Sequence, residues 1–279
     1  MESACRAVAP LLVLTLVASA SGDNAAMTTG GVPSMLSAHP SVSMVSEIVK
    51  VTVHSDRVDT DCTFVFKNEG PACNVKMGFP DFGMWAYAEG RAPGRSWFKR
   101  FQSYVDGKPV KTKLEVGKAP GEQWEIKIVP FEKNGSRVVL EVYSNEAGGI
   151  NDQYVSGAII ESAAYILHTG ASWHKPIGSA KLVFTFASDT EVSAPIELRW
   201  IRPKDSPGKD WLQRFKIGNF VAVLGALKPE VKGMELTFEK RKRRPTKDDD
   251  IIVLCRFSPA HLAKMRAQDA ARSKPLGKH

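Results

Sequence analysis

Aromatic and basic residues crowd one stretch of this chain: Trp85, Tyr87, Trp97 and Phe98 stand beside Arg91, Arg95, Lys99 and Arg100. Flat apolar rings next to guanidinium and ammonium groups suit stacking on sugars, contact with anionic polymers, or a lipid interface. Pro80, Gly83, Gly90, Pro93 and Gly94 make the same stretch a loop, and its rings can equally plug the open end of a sandwich. A second cationic feature is the run Lys240-Arg241-Lys242-Arg243-Arg244, with Asp248-Asp249-Asp250 just beyond Pro245. Alternate residues of a strand face opposite sides, so one face takes only part of that charge. A fold-back would set the acids against the bases and cancel much of the field. The other reading is a patch for an anionic polymer or a headgroup.

Other chemistry finds thinner support. His168 and His174 flank Thr169-Gly170-Ala171-Ser172-Trp173, but no acid or third ligand stands at metal spacing, and no C-x-x-C occurs. Neither a metal nor a cofactor is expected. No G-x-S-x-G elbow, H-E-x-x-H helix, phosphate-binding glycine loop or Cys/His nucleophile pair is present. No catalytic residue is assigned, although Asp81, Glu89, Asp152 and Glu161 are acids that a fold could bring together. Asn134-Gly135-Ser136 matches a glycosylation sequon, which matters in a eukaryotic secretory host.

The setting follows from the first twenty residues. Arg6 is followed by an apolar run from Ala7 to Val17 and then by Ala18-Ser19-Ala20, the order of an export signal cut after Ala20. That run is shorter than the ~20 residues a bilayer requires. No Cys stands just after the cut to take a lipid, and no later segment is long and apolar enough to span, so a periplasmic or secreted product is expected. Removing residues 1–20 deletes Glu2 and Arg6, and the net charge stays +8. With a pI near 9.3, anionic partners are favoured: an envelope polymer, a glycan or a lipid headgroup, with no specific nucleic acid. Behind an export signal the basic run cannot serve as a nuclear address. Cys62, Cys73 and Cys255 remain. A hairpin through residues 68–71 would leave Cys62 and Cys73 about four residues out of register, beyond the ~7 Å limit for a bridge. Any disulfide then needs Cys255; the alternative is three buried small apolar side chains.

The elements that must position these residues are strands. Val45, Glu47, Val49, Val51 and Val53 alternate with polar neighbours, as do Cys62, Phe64 and Phe66, then Cys73, Val75, Met77 and Phe79. Asn68-Glu69-Gly70-Pro71 predicts a hairpin between the last two sets, and Asp106-Gly107 predicts another between 101–105 and 110–116. Trp124, Ile126 and Ile128 lead to Val138, Leu140 and Val142 across Asn134-Gly135. Tyr154 to His168 reads as strand or short helix ended by Gly170. Leu182, Phe184 and Phe186 alternate again, and Met234, Leu236 and Phe238 are expected to pair with Ile251, Val253, Cys255 and Phe257. Ser258 and Pro259 suit the start of a helix.

The reading is therefore mainly β. It places a lead-in at 21–43, antiparallel sandwiches at 44–147 and 148–257 (or one larger sandwich), and a short basic C-terminal helix and tail at 258–279.

Two short motifs carry a resemblance. Phe64, Phe66 and Asn68 with Phe79-Pro80, and then Tyr165, Leu167, Thr169, Gly170, Trp173, Pro176 and Ile177, resemble a family of exported bacterial β proteins without a known function. The resemblance implies an envelope setting and no activity. The expected function is a non-enzymatic binding or envelope-associated module. The alternatives are a hydrolase acting on an envelope polymer and a structural assembly subunit.

Overall fold

The computed structural model describes residues 19–22, 25–26, 39–83, 94–117, 122–146, 148–151, 159–202 and 220–256, together with Ala263 and Ala267. Among these the chain is built of strands in three sheets. The largest runs β17 (Glu230–Lys232), β18 (Glu235–Arg243), β14 (Ile177–Phe186), β3 (Val42–Val53), β4 (Arg57–Asn68), β11 (Ser136–Glu146), β7 (Arg100–Val105) and β8 (Lys108–Val110). A four-stranded sheet runs β2 (Ala25–Ala26), β5 (Cys73–Pro80), β10 (Gln123–Phe131) and β9 (Lys113–Val116). The third runs β15 (Glu197–Ile201), β16 (Phe220–Leu224), β19 (Ile251–Arg256), β13 (Ile159–Ile166), β1 (Ser19–Gly22) and β6 (Phe82–Gly83), with β12 (Gly148–Asn151) also on β13. Most pairs are antiparallel; β1 with β13, β14 with β3, and β15 with β16 are parallel.

Alternation sets the faces. Val49, Val51 and Val53 of β3 and Cys62, Phe64 and Phe66 of β4 are buried, while Lys50 and Asp61 face solvent. The run predicted from Val45 is interrupted. A bulge between Met44 and Ser46 turns Val45 outward, 46% exposed, and Met44 takes the buried position. Gly178 of β14 lies against this bulge, where a Cβ would stand 2.3 Å from the Val45 carbonyl oxygen.

The hairpin predicted across Asn68–Pro71 is not formed. β4 pairs with β3 and β11, whereas β5 pairs with β10 and β2 in another sheet. The chain bends there from one sheet into the other, and it bends back between β10 and β11. The two bends are hydrogen-bonded together, Asn68 N–H to the Gly135 carbonyl at 2.9 Å and Asn134 N–H to that of Gly70 at 3.2 Å. Asn68 organises the corner from a fully buried position: its Nδ2 donates to the carbonyls of Pro71 (2.6 Å) and Glu132 (3.1 Å), and its Oδ1 accepts from Ser41 Oγ (2.8 Å) and Gly70 N–H (3.0 Å). Asn68→Ala is expected to lower stability by about 2 kcal/mol, read as a shifted urea midpoint, because buried groups lose partners. An unchanged midpoint would contradict this account of the corner.

A second predicted pairing also fails. β18 lies between β14 and β17, and β19 lies between β13 and β16, so the Met234–Phe238 and Ile251–Cys255 stretches belong to different sheets. The Asp106-Gly107 hairpin does form between β7 and β8, with positive φ at both residues (49° and 75°). The stretch expected as strand or helix to His168 is β13 followed by a 3-10 turn, His168–Ser172, with Gly170 inside it.

The eight-stranded sheet takes strands from both sides of residue 148, and one apolar core runs along it. In that core the two motifs of the family resemblance meet: the rings of Phe66 and Trp173 are 4.6 Å apart. Both are fully buried, so these motif residues are part of the apolar core. Cys62 and Cys255 are buried and Cys73 is half-buried, and the three stand as thiols. A cut after Ala20 would fall inside β1. The expected C-terminal helix lies outside the described residues apart from Ala263 and Ala267, and no described helix is long and apolar enough to cross a membrane.

Candidate functional site

Of the aromatic-basic stretch, Trp85, Tyr87 and Arg91 lie outside the described residues. Its described part is held from beneath by Asp81, which follows β5 and has no exposed surface. The Asp81 carboxylate accepts the Trp97 N–H at 3.0 and 3.2 Å and Gln123 Nε2–H at 3.2 Å. Gln123 also donates to the Arg95 carbonyl at 2.9 Å and accepts Gly94 N–H at 3.4 Å. Burial pushes the Asp81 carboxyl up to about 7, with nearby Glu125 adding to the rise and hydrogen bonds from Ser96, Trp97 and Gln123 opposing it.

Phe98 is part of the core. Its ring stacks on Phe101 at 5.0 Å and meets Tyr143 at 4.9 Å, which removes it from the ligand-facing set. Trp97 is half-buried, while Arg95, Lys99 and Arg100 are exposed. One ring of the stretch, Phe98, thus belongs to the core, and exposed cations stand beside it.

The basic run divides by partner. Arg244 donates to the carbonyls of Ala171, Trp173 (3.1 Å) and His174 (3.2 Å), clamping the 3-10 turn. Arg243 Nη2 lies 2.5 Å from Asp249 Oδ1, an ion contact without hydrogen-bond alignment. Asp249 Oδ2 accepts Thr246 N–H at 2.8 Å and its Oγ1–H at 3.1 Å. Asp250 Oδ1 accepts the N–H groups of Leu167 (2.8 Å) and His168 (3.0 Å), and Oδ2 is 2.7 Å from His168 Nδ1. The expected fold-back of acids onto bases therefore neutralises Arg243. Among the described residues, Lys240, Arg241 and Lys242 form no ion pair with it.

Lys240 faces inward, which the sequence reading missed. Leu236 and Phe238 are buried, and the same parity carries Lys240 to the core side, opposite Ala180 of β14. At Lys242 φ is +49°, so the alternation ends there. Beside Lys240 is a shallow cleft walled by Leu167, Ile177, Ala180, Leu227 and Pro245 and edged by Lys240, Arg243 and Asp249.

His168 and His174 serve different places: His168 is held by Asp250, and His174 is exposed beside the Arg244 clamp. Among the described residues no three metal-ligating side chains converge.

No family model matches the chain, and no curated protein does. Both results agree with the resemblance to a family that has no established activity. Among solved structures, a candidate nutrient binding protein from Legionella pneumophila subsp. pneumophila str. Philadelphia 1 is similar with a TM-score of 0.56 and 15% identity, over 94% of this chain and 78% of that one. At that identity the likeness is one of fold. An LTA4 hydrolase from yeast, bound to bestatin, gives a TM-score of 0.41 and 10% identity over 77% of this chain and 29% of its own. An M1 zinc metallopeptidase from Deinococcus radiodurans gives 0.36 and 10% over 77% and 42%. The chain spans less than half the length of those two enzymes.

Proposed function

We propose that this chain is a non-enzymatic binding protein that works outside the cytoplasm and takes an anionic ligand at the basic end of β18. One observation carries the proposal. Asp249 is committed to Arg243 and Thr246, and Asp250 to Leu167 and His168, so neither of these two acids pairs with Lys240, Arg241 or Lys242. The Legionella neighbour, described as a candidate nutrient binding protein, supports the binding class. Export rests on the pattern of residues 1–20.

Retention of the purified chain on an anionic resin is expected to fall steeply as salt rises. The triple charge reversal K240E/R241E/K242E is expected to abolish retention, whereas R95E/R100E, which alters exposed cations elsewhere, should weaken it less. Equal loss from both variants would locate no site and would contradict the proposal. Recovering the chain from the cytoplasm with residues 1–20 attached would overturn the export.

A further inference from the structure

We infer that Asn134 is the acceptor of an N-linked glycan, transferred from a polyprenyl-pyrophosphate oligosaccharide by an oligosaccharyltransferase outside the cytoplasm. This goes beyond the anionic-ligand reading and rests only on its export half, because the donor presents its sugar on that side of the membrane. The sequence supplies the recognition triplet Asn134-Gly135-Ser136, whose middle residue is not proline. Glu132 stands two residues before the asparagine, where bacterial enzymes of this class take an acid. Glu132, Asn134 and Ser136, the three residues to be read, are all exposed.

The fold decides how the triplet is presented. It crosses the turn between β10 and β11 and ends on the first residue of β11. Gly135 N–H donates to the Glu132 carbonyl at 2.9 Å, and Asn134, inside this turn, has a φ of 54°. Asparagine tolerates that left-handed backbone better than most residues. The turn is fixed from below. Asn68 donates to the carbonyls of Glu132 (3.1 Å) and Gly135 (2.9 Å), and Asn134 N–H reaches the Gly70 carbonyl at 3.2 Å. Lys67 Nζ donates to the Asn134 carbonyl. The corner thus engages both backbone groups of Asn134 and leaves the residue exposed. A turn that is already closed costs an enzyme little ordering on binding. A glycan on an exposed turn also displaces no core residue. The transfer balances without a further reagent. Asn134 Nδ2 forms a bond to C1 of the first sugar as the C1–O bond to pyrophosphate breaks. One amide proton is released, and polyprenyl pyrophosphate leaves with the electron pair.

The test incubates the purified, folded full chain with a purified bacterial oligosaccharyltransferase and a polyprenyl-pyrophosphate oligosaccharide, and reads the intact mass. The mass of one glycan is expected to be added. N134Q and S136A are expected to stay unmodified; S136A keeps Asn134 and removes only an exposed hydroxyl. E132Q keeps the backbone carbonyl that Asn68 and Gly135 use, and it is expected to react about tenfold more slowly or worse, having lost a charged contact to the enzyme. An unmodified parent would overturn the inference, and so would a glycan on N134Q or S136A. Modification of a synthetic peptide of residues 129–138 but not of the folded chain would overturn it too, since the fold would then hide the acceptor. A second arm expresses the chain in cells whose inner membrane carries the same enzyme, and glycan is expected there as well. Glycan added to the purified chain but absent in cells would overturn export and the modification in cells together. Failure with the purified chain would overturn the acceptor assignment alone and leave export and resin retention untouched.

Discussion

Replacing Lys127 by Met is expected to lower folding stability by about 3–5 kcal/mol, one of the two largest effects the fold implies. Lys127 of β10 and Glu141 of β11 form an ion pair in which neither side chain has exposed surface. The two strands belong to different sheets, so the pair links two sheets that no backbone ladder joins at this point. Each charge has lost its hydration, and the ion pair compensates for that loss. K127M leaves a carboxylate in the core without its counter-ion, whereas K127M/E141L removes both charges and their desolvation cost. The double variant is therefore expected to recover most of the loss or to exceed the parent. Urea unfolding of the three proteins measures this. If the single and double variants were equally unstable, lost packing would be responsible and the electrostatic account would fail.

The same stretch shows how far the sequence could be read. Period-two alternation located most inward side chains, among them Phe64, Phe66, Phe79, Leu182, Phe184 and Leu236, all of them buried. Alternation says which way a residue faces and not which strand lies beside it. At a sandwich corner the strands before and after the bend both point apolar residues into one core, so a bend and a hairpin leave the same pattern. That is why Asn68–Pro71 read as a hairpin. Asp106-Gly107 was legible because a tight two-residue turn needs positive φ at both positions, which Asp and Gly tolerate. Lys240 was within reach of the same logic, since its parity follows Leu236 and Phe238, but a basic run invites reading as solvated surface. Asp81 was visible only as a loose acid, because its partner Gln123 is 42 residues away and nothing local points to it. The bend that moves β5 into the four-stranded sheet beside β10 is what brings Asp81 and Gln123 together.

Asp81 should also leave a mark on the pH dependence of stability. Its carboxyl titrates near the ordinary 3.8 in the unfolded chain and near 7 in the fold. Well below pH 3.8 it is protonated in both states and costs nothing. Between pH 4 and 7 the native state keeps a proton that the unfolded state has released, so this residue's contribution falls as pH rises. Above 7 the buried carboxylate is charged, and the full cost is present. At about 1.4 kcal/mol per pKa unit the rise from 3.8 to about 7 amounts to a loss on the order of 4 kcal/mol. D81N is neutral throughout, and its amide oxygen can still accept the Trp97 N–H. It is expected to come closest to the parent at pH 4 and to be clearly the more stable protein at pH 8. Other groups titrate over the same range, so the decisive quantity is the difference between variant and parent, in which they cancel. Urea midpoints at pH 4, 6 and 8 give that difference. It should widen with pH, and a gap that stays constant would mean that the Asp81 side chain matters for its hydrogen bonds alone. A widening gap would mean that the residue holding the Trp97 N–H carries a destabilising charge at neutral pH. The foot of the aromatic-basic segment would then be a place where the fold gives up stability to keep a carboxylate.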